Sequence, residues 1–358
     1  MSTRRLVLAA AMVAALAGCG AEPPAPTPVA DGIRCAAGSL TGQGSSAQAN
    51  AVNIWIRNYQ AACPEAAIEY ASVGSGAGLR AFLAGTGDFA GTDTPLPASD
   101  QPKADARCDG GPAIHLPMVV GPIVLAYNVA GVTGLRLSPA TIAKIFAGAA
   151  ATWDDPAIAA DNPDVVLPST RIRTVHRSDG SGTTNSFTAF LASTAGAGWR
   201  FGTGTTWRAP GGEARDGNGG VAAAVRRTEG AIGYLEWSYA QVNNLETAVV
   251  RNGAGQFVEV GNQAAGTAVG TATVTGTGGD QRLAVDYATT AAGAYPLVLV
   301  TYEVVCAKGT RAAAIELLRG FLAYTSSAAG QQAVARLGYA PLPDQIRTRV
   351  AATIDTLA

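Results

Sequence analysis

Three times in this chain an extended stretch runs into a Gly/Ser-rich turn and then into a helix with one apolar face. That recurrence limits the fold to alternating strands and helices around a central sheet. The first unit is Leu40-Thr41-Gly42-Gln43-Gly44-Ser45-Ser46-Ala47, followed by Val52, Trp55, Ile56 and Tyr59 at i, i+3, i+4 and i+7. The second is the strand-like Ala67-Ile68-Glu69-Tyr70-Ala71, the turn Ser72-Val73-Gly74-Ser75-Gly76-Ala77-Gly78, and then Leu79, Phe82 and Leu83. In the third, Val165-Val166-Leu167 and Ile172-Arg173-Thr174-Val175 read as extended chain. They lead into His176-Arg177-Ser178-Asp179-Gly180-Ser181-Gly182-Thr183-Thr184-Asn185, then Phe187, Phe190 and Leu191 at helical spacing.

A helix that opens on Ser, Gly and Thr offers unpaired backbone N–H groups, hydroxyl donors and the positive end of its dipole. Such an end binds an oxyanion, and Arg177 adds a planar fork suited to a phosphate-like group. A helix whose Ser and Thr cap only its own backbone has the same look, so one turn alone decides nothing. Three turns of the same chemistry point to a site that engulfs a small anion. None is a P-loop, because no Lys-Ser or Lys-Thr follows the glycines, and none matches a dinucleotide fingerprint after a strand.

The chain has 358 residues, enough for two domains. With 25 basic and 26 acidic residues it has no basic field for nucleic acid. An anion must therefore be attracted locally. Arg4-Arg5 followed by the apolar Leu6–Ala17 reads as an export leader, too short to span a bilayer. It ends in Leu16-Ala17-Gly18-Cys19, a lipobox-like sequence, so Cys19 is the expected lipidation site. Removing 1–18 leaves 23 basic and 26 acidic residues, net −3. Residues 19–34, Pro-rich over 22–30, read as a semi-rigid tether.

Four further cysteines remain, and export favours disulfides among them. They allow three connectivities. Cys35 and Cys63 precede strands that can be neighbours in a parallel sheet, which favours Cys35–Cys63 and leaves Cys108–Cys306. The cysteine spacings fit no zinc pattern, and the chain has only two histidines. No metal or cofactor is expected.

Several blocks now carry a family resemblance. They are Leu40-Thr41-Gly42, Gly74-Ser75-Gly76-Ala77-Gly78, Asp88-Phe89-Ala90-Gly91-Thr92-Asp93-Thr94-Pro95-Leu96 and Trp153-Asp154-Asp155-Pro156-Ala157-Ile158. Arg177 through Thr184, Gly230-Ala231-Ile232-Gly233-Tyr234 and Gly338-Tyr339-Ala340-Pro341-Leu342-Pro343 complete them. In this order, over about residues 38 to 345, they resemble the substrate-binding protein of the bacterial phosphate ABC importer. The resemblance implies an α/β, two-lobed periplasmic-binding-protein fold of type II, with the ligand in the interdomain cleft, outside the carboxyl ends of the strands. It implies that the apolar runs Ile114–Tyr127, broken by Pro117 and Gly121-Pro122, and Tyr295–Tyr302 are hinge crossings. Lobe I would be residues 35–117 plus 298–358, with Ile315, Leu318, Phe321 and Leu322 on a helix that completes it. Lobe II would be residues 118–297.

The resemblance also assigns the site. Ser46 is the hydroxyl donor of the first turn, with the Ala47 amide beside it. The sequence reads Ser-Ala-Gln at 46–48 where the family more often has Thr-Phe-Pro, so an aromatic wall is lost. Ser75 is the donor of the second turn. Arg177 supplies positive charge, oriented by Asp179, while Ser181, Gly182 and Thr183 supply amides and hydroxyls. Asp93 would set selectivity. Phosphate near neutral pH keeps a proton that an ionised carboxylate can accept, whereas sulfate has none and meets an unpaired like charge. Without the surrounding blocks, Asp93 reads as a cap on the turn at Thr94-Pro95.

Other residues read more plainly. His115 and His176 are core or surface histidines, and Trp153 and Trp237 are core aromatics. Glu229 and Glu236 flank a strand and are expected to face solvent. The stretches 199–220 and 253–279, rich in Gly, Ala and Thr, read as loops and exposed hairpins.

The expected function is binding of inorganic phosphate and its delivery to the transmembrane permease of an ABC importer. The protein would be a monomer anchored through Cys19 to the outer face of the cell membrane. An enzyme of the phosphatase or serine-hydrolase type is the competing class, but no nucleophile sits beside a base and no metal cluster is present. A sulfate or molybdate binder is the other alternative, which Asp93 disfavours.

Overall fold

In the computed structural model, which describes residues 33–358, the strand–turn–helix units build one nine-stranded sheet. Cys19, the leader and nearly all of the tether lie outside the described residues. The strands are β1 (Gly38–Gly44), β2 (Ala66–Ser72), β3 (Phe89–Thr92), β4 (Ala113–Asn128), β5 (Arg173–Arg177), β6 (Glu213–Arg215), β7 (Ala231–Glu236), β8 (Glu246–Thr247) and β9 (Val298–Cys306). Their order is β2-β1-β3-β9-β4-β7-β5-β6, with β8 also pairing to β4. β1 lies parallel to β2 and β3, and β5 lies parallel to β6 and β7. These parallel groups are joined by antiparallel β9 and β4.

β4 belongs to both groups. Its first part, Ala113–Pro122, pairs with β9, and its last part, Ile123–Asn128, pairs with β7. All but its last residue is buried, as expected for a central strand covered on both faces. The sequence suggested a run broken at Pro117 and Gly121-Pro122, but the strand is continuous. Proline cannot donate to a ladder, and a register shift absorbs it: Thr301 lies opposite Val119 and Tyr302 opposite Pro117, so Met118 is the extra residue of a bulge.

Five helices matter for the site: α1 (Ala49–Ala62), α2 (Ser75–Leu83), α3 (Gly182–Thr194), α4 (Gly217–Arg227) and α5 (Trp237–Val242). α1 buries Val52, Trp55, Ile56 and Tyr59, and α3 buries Phe187, Phe190 and Leu191. The late helix Ile315–Ser326 buries Leu318, Phe321 and Leu322, and the Phe321 ring meets Tyr59 of α1 edge-on at 5.7 Å. The end of the chain therefore packs on its beginning. Disulfides join Cys35 to Cys63, at the starts of neighbouring β1 and β2, and Cys108 to Cys306 at the end of β9.

Three local readings differ from the structure. Val165–Leu167 forms no strand, and Val166 is 94% exposed, so its apolar run is not buried in a sheet. The Gly/Ala-rich 253–279 stretch contains a helix, Asn262–Gly270, whose Ala265, Ala268 and Val269 are buried, so packing overrides its glycines. The 199–220 stretch contains β6 and the first turn of α4 as well as loop.

Candidate anion-binding site

The carboxyl ends of β1, β2, β3 and β5 each feed a turn, and the turns converge on Asp93. Its side chain is buried, yet every close partner is a hydroxyl. Ser45 Oγ donates to Oδ1 at 2.5 Å, Thr301 Oγ1 donates to Oδ1 at 2.7 Å, and Ser75 Oγ reaches Oδ2 at 3.4 Å. An ionised carboxylate is acceptor-only, so this donor set suits the charged form. Burial raises the Asp93 carboxyl above its ordinary range, and the hydroxyls of Ser45 and Thr301, the charge of Arg177 and the Ser75 hydroxyl oppose that rise.

Ser75 opens α2 and ties three elements together. Its Oγ accepts the Asp93 N–H at 3.3 Å and the Gly182 N–H at 3.2 Å. Gly76 N–H donates to Gly180 O at 2.8 Å. The start of α2 thus faces the start of α3. Gly182 must be glycine for this approach: a Cβ there would stand 2.5 Å from the Asp93 Cβ and 2.8 Å from Ser75 Oγ.

Arg177 ends β5 and is 2% exposed. Its guanidinium is held by Asp179 in a bidentate pair, Nε to Oδ1 at 2.7 Å and Nη2 to Oδ2 at 2.5 Å. Nη1 reaches Thr183 Oγ1 at 3.4 Å. Burial pushes the Asp179 carboxyl up, but the hydrogen bonds and charge of Arg177 outweigh it and hold the group below its ordinary range. Ser181 caps α3, its Oγ accepting from Thr184 N–H at 3.1 Å.

The first turn carries two hydroxyls with different partners. Ser45, not Ser46, bonds Asp93, and Ser45 Oγ also accepts the Ala47 N–H at 3.0 Å. Ser46 Oγ accepts from Asn218 N–H at 3.1 Å and Nδ2 at 2.9 Å, which leaves its own proton to give. Asn218, near the start of α4, also reaches Thr183 Oγ1 at 3.3 Å. Tyr239 of α5 donates to Ser46 O at 2.8 Å. Sequence reasoning missed Ser45, Asn218 and Thr301. Only Ser45 had a signal, since it adjoins Ser46 in the same Gly/Ser cluster.

Glu236 corrects a further expectation, because it is fully buried instead of facing solvent. It sits at the N-cap of α5, where its carboxylate accepts from Ser238 N–H at 3.0 and 3.1 Å and from Ser238 Oγ. All six β7 residues are buried, so the strand has no wet face for the glutamate to point to. Burial pushes its carboxyl up to about 8. Ser238 in turn accepts from Asn50 of α1 at 2.8 Å. His115 is a core residue: it accepts the Leu96 N–H at 2.9 Å and pairs with Asp280 at 2.7 Å. Trp153 is buried and Trp237 partly so, while Glu229 is exposed.

Every predicted site residue thus lies in one cluster: Ser46, Ala47, Ser75, Asp93, Arg177, Ser181, Gly182 and Thr183, with Asp179 behind Arg177. The cluster combines the N-terminal ends of α1, α2 and α3, one fixed cation and one buried anion. Dipoles and hydroxyls of this kind can hold an oxyanion, and the Asp93 carboxylate, which has no cation paired to it among the described residues, can accept a proton that the oxyanion carries.

The profile described as PBP superfamily domain matches residues 29–329. Phosphate-binding protein PstS 3 of Mycobacterium tuberculosis is 39% identical over 323 residues, covering 89% of this chain and 87% of the relative. This chain belongs to the PBP superfamily and, within it, to the PstS phosphate-binding proteins. PstS 3 of Mycobacterium leprae is 37% identical over 357 residues, 96% of either chain. Among solved structures, the periplasmic phosphate-binding protein PfluDING bound with phosphate superposes with a TM-score of 0.71 at 22% identity, covering 88% of this chain and 93% of its own. A phosphate-binding protein from Stenotrophomonas maltophilia gives 0.69 at 22% identity, covering 88% and 94%. At that identity the two structures show the shared fold, the α/β periplasmic-binding-protein architecture expected from the sequence.

Proposed function

We propose that this protein binds inorganic phosphate at the Asp93 cluster and delivers it to the transmembrane permease of an ABC importer. The observation that carries this reading is a buried carboxylate set among hydroxyl donors and helix N-termini. A site for a fully deprotonated anion gains nothing from such a group, whereas a site for a protonated oxyanion gains a hydrogen-bond acceptor. Ser46, the Ala47 amide, Ser75, Arg177, Ser181, Gly182 and Thr183 would contact the ligand, and Asp179 would hold Arg177. In this reading the protein is a monomeric binding protein and not an enzyme. It has two lobes, residues 35–117 plus 298–358 and residues 118–297, which close on the ligand.

Calorimetric titration tests the site. Phosphate should bind at least about a hundredfold more tightly than sulfate, the size expected when a buried charge loses its partner. Equal affinity for the two anions would sink the assignment. Small-angle scattering should show a smaller radius of gyration with phosphate, and an unchanged radius would reject closure between the two lobes.

The protein is exported and anchored through lipidated Cys19. Cys19→Ala should move the protein from the membrane to the soluble fraction, and a wild-type chain that is already soluble and unlipidated would refute the anchor.

A further inference from the structure

Asp93 sits on a turn, and the far end of that turn is tied down by a buried histidine. β3 ends at Thr92, where its pairing with β9 stops. Past it, Thr92 Oγ1 accepts the Thr94 N–H at 3.2 Å and donates to Thr94 O at 2.6 Å, so the turn closes on itself. Pro95 has no N–H to give. The next main-chain bond from the turn to the sheet is Leu96 N–H to Nε2 of His115 in β4, at 2.9 Å. His115 is fully buried, and a hydrocarbon in its place would strand the buried Leu96 N–H.

The ring is fixed from its other side as well. A backbone N–H can only donate, so Nε2 is the bare, accepting nitrogen and the ring proton sits on Nδ1. Asp280 Oδ1 accepts that Nδ1–H at 2.7 Å and the His115 backbone N–H at 2.9 Å. Arg282 stands 2.8 Å from the other carboxylate oxygen. Gln281 N–H donates to His115 O at 2.9 Å, and Gln281 Nε2 donates to Thr353 Oγ1, in the helix Asp344–Ile354, at 2.8 Å. Asp280 and Gln281 lie in the connection of a hairpin, Thr273–Val274 with Leu283–Ala284. That hairpin is pinned to β9 by Leu283 N–H, which donates to the Tyr302 hydroxyl at 3.0 Å. The Tyr302 ring meets the His115 ring edge-on at 5.9 Å.

From this geometry we infer that His115 is a positioning residue for the anion site: oriented by Asp280, it holds the Leu96 end of the turn and so fixes where Asp93 meets the ligand. The inference rests on the phosphate site proposed above. The hydroxyls of Ser45, Thr301 and Ser75 grip the Asp93 carboxylate itself. Its backbone is held on one side by β3 and by the 3.3 Å bond of its N–H to Ser75 Oγ, and on the other side by His115. When the Leu96 end is released, the main chain past Thr92 loses its tie to β4 and the carboxylate shifts with it. A shifted Asp93 costs phosphate the acceptor for its proton, whereas sulfate, with no proton to give, loses nothing. Loss of His115 is therefore read in the ratio of the two affinities. A residue that only fills the core changes the stability of the fold and leaves that ratio alone.

The test is calorimetric titration of the exported chain with inorganic phosphate and with sulfate. His115→Phe keeps a ring and loses the acceptor. It should weaken phosphate binding about tenfold and leave sulfate binding within about twofold. His115→Gln can accept the Leu96 N–H with its side-chain oxygen and donate to Asp280 with its amide, so it should recover most of the wild-type ratio. Asp280→Ala should weaken phosphate binding in the same direction, and adding it to His115→Phe should cost little more, because both break one relay. Val124→Ala, in the same strand but packed in a different part of the core, should lower the melting temperature and keep the wild-type ratio. An unchanged phosphate-to-sulfate ratio in His115→Phe, or equal losses for both anions, would overturn the assignment. Nitrogen NMR of the unmodified protein supplies the readout that needs neither a variant nor a ligand. The His115 ring should carry its proton on Nδ1 and leave Nε2 bare, and the Leu96 amide should exchange slowly with solvent. A proton on Nε2, or a Leu96 amide that exchanges as fast as an exposed one, would also overturn it. Absence of phosphate binding in the wild type, with the NMR result intact, would instead reject the proposed function and leave the hold of His115 on the turn standing.

Discussion

Asp93→Asn should lose discrimination between phosphate and sulfate far more than it loses anion binding. The amide keeps an oxygen for the Ser45 and Thr301 hydroxyls, which lie 2.5 and 2.7 Å from Oδ1 in the wild type. It also brings an N–H that can donate to an anion without a proton. Removing the buried like charge should improve sulfate affinity by about ten- to a hundredfold, while phosphate loses one charged hydrogen bond worth about 1.5–3 kcal/mol. The ratio of the two affinities, measured by titration, should therefore collapse. Parallel losses for both anions would show that Asp93 is a structural cap and not a proton acceptor. The pH dependence carries the same sign. Because burial raises the Asp93 carboxyl, it takes up its proton at a less acidic pH than an ordinary aspartate, and sulfate binding to the wild type should strengthen as that proton is gained.

Arg177→Ala should weaken phosphate binding by up to about a hundredfold without abolishing it. The amides of three helix ends and the surrounding hydroxyls remain. The structure adds a second cost to the one expected for losing a charged donor. Asp179 is held by the guanidinium in a bidentate pair, and removing the arginine leaves a mostly buried carboxylate beside an anion site. Breaking a buried pair from one side costs about 3–5 kcal/mol of stability in typical cases. Adding Asp179→Asn to Arg177→Ala should thus restore about tenfold in affinity and much of the melting temperature. A double variant no better than the single one would show that Asp179 acts through its bond to the Gly217 N–H, at 3.2 Å, and not through the arginine.

The helix faces were legible because their apolar spacing is local: Trp55 and Tyr59, or Phe187 and Leu191, announce their burial within two turns. The three Gly/Ser turns were legible for the same reason, and the family blocks tied them into one site. What the sequence hid came from long-range neighbours. Thr301 reaches Asp93 from a strand 208 positions later, and nothing around it marks it as polar lining. Ser45 and Ser46 are adjacent hydroxyls in one turn, and only the direction in which the chain leaves β1 decides which meets Asp93 and which meets Asn218. Glu236 looked like a strand-end charge with access to water. Its burial follows from β7 being covered on both sides, a property of its neighbours and not of its own residues.

The placement of β9 has a consequence for how the molecule is assembled. β9 lies between β3 and β4 in the sheet, yet it begins at Val298, after every other strand of that sheet has been made. Cys108 likewise waits through 198 residues of synthesis for Cys306. A growing chain that stops short of Val298 holds β1, β2 and β3 with an open edge, lacks the Thr301 hydroxyl for Asp93, and carries an unmated thiol. β4, β5, β6 and β7 have by then emerged together with their helices. The half of the molecule that is read first is therefore the half that is finished last, and ribosome-stalled chains ending before and after β9 would differ most in the protease resistance of their earliest residues.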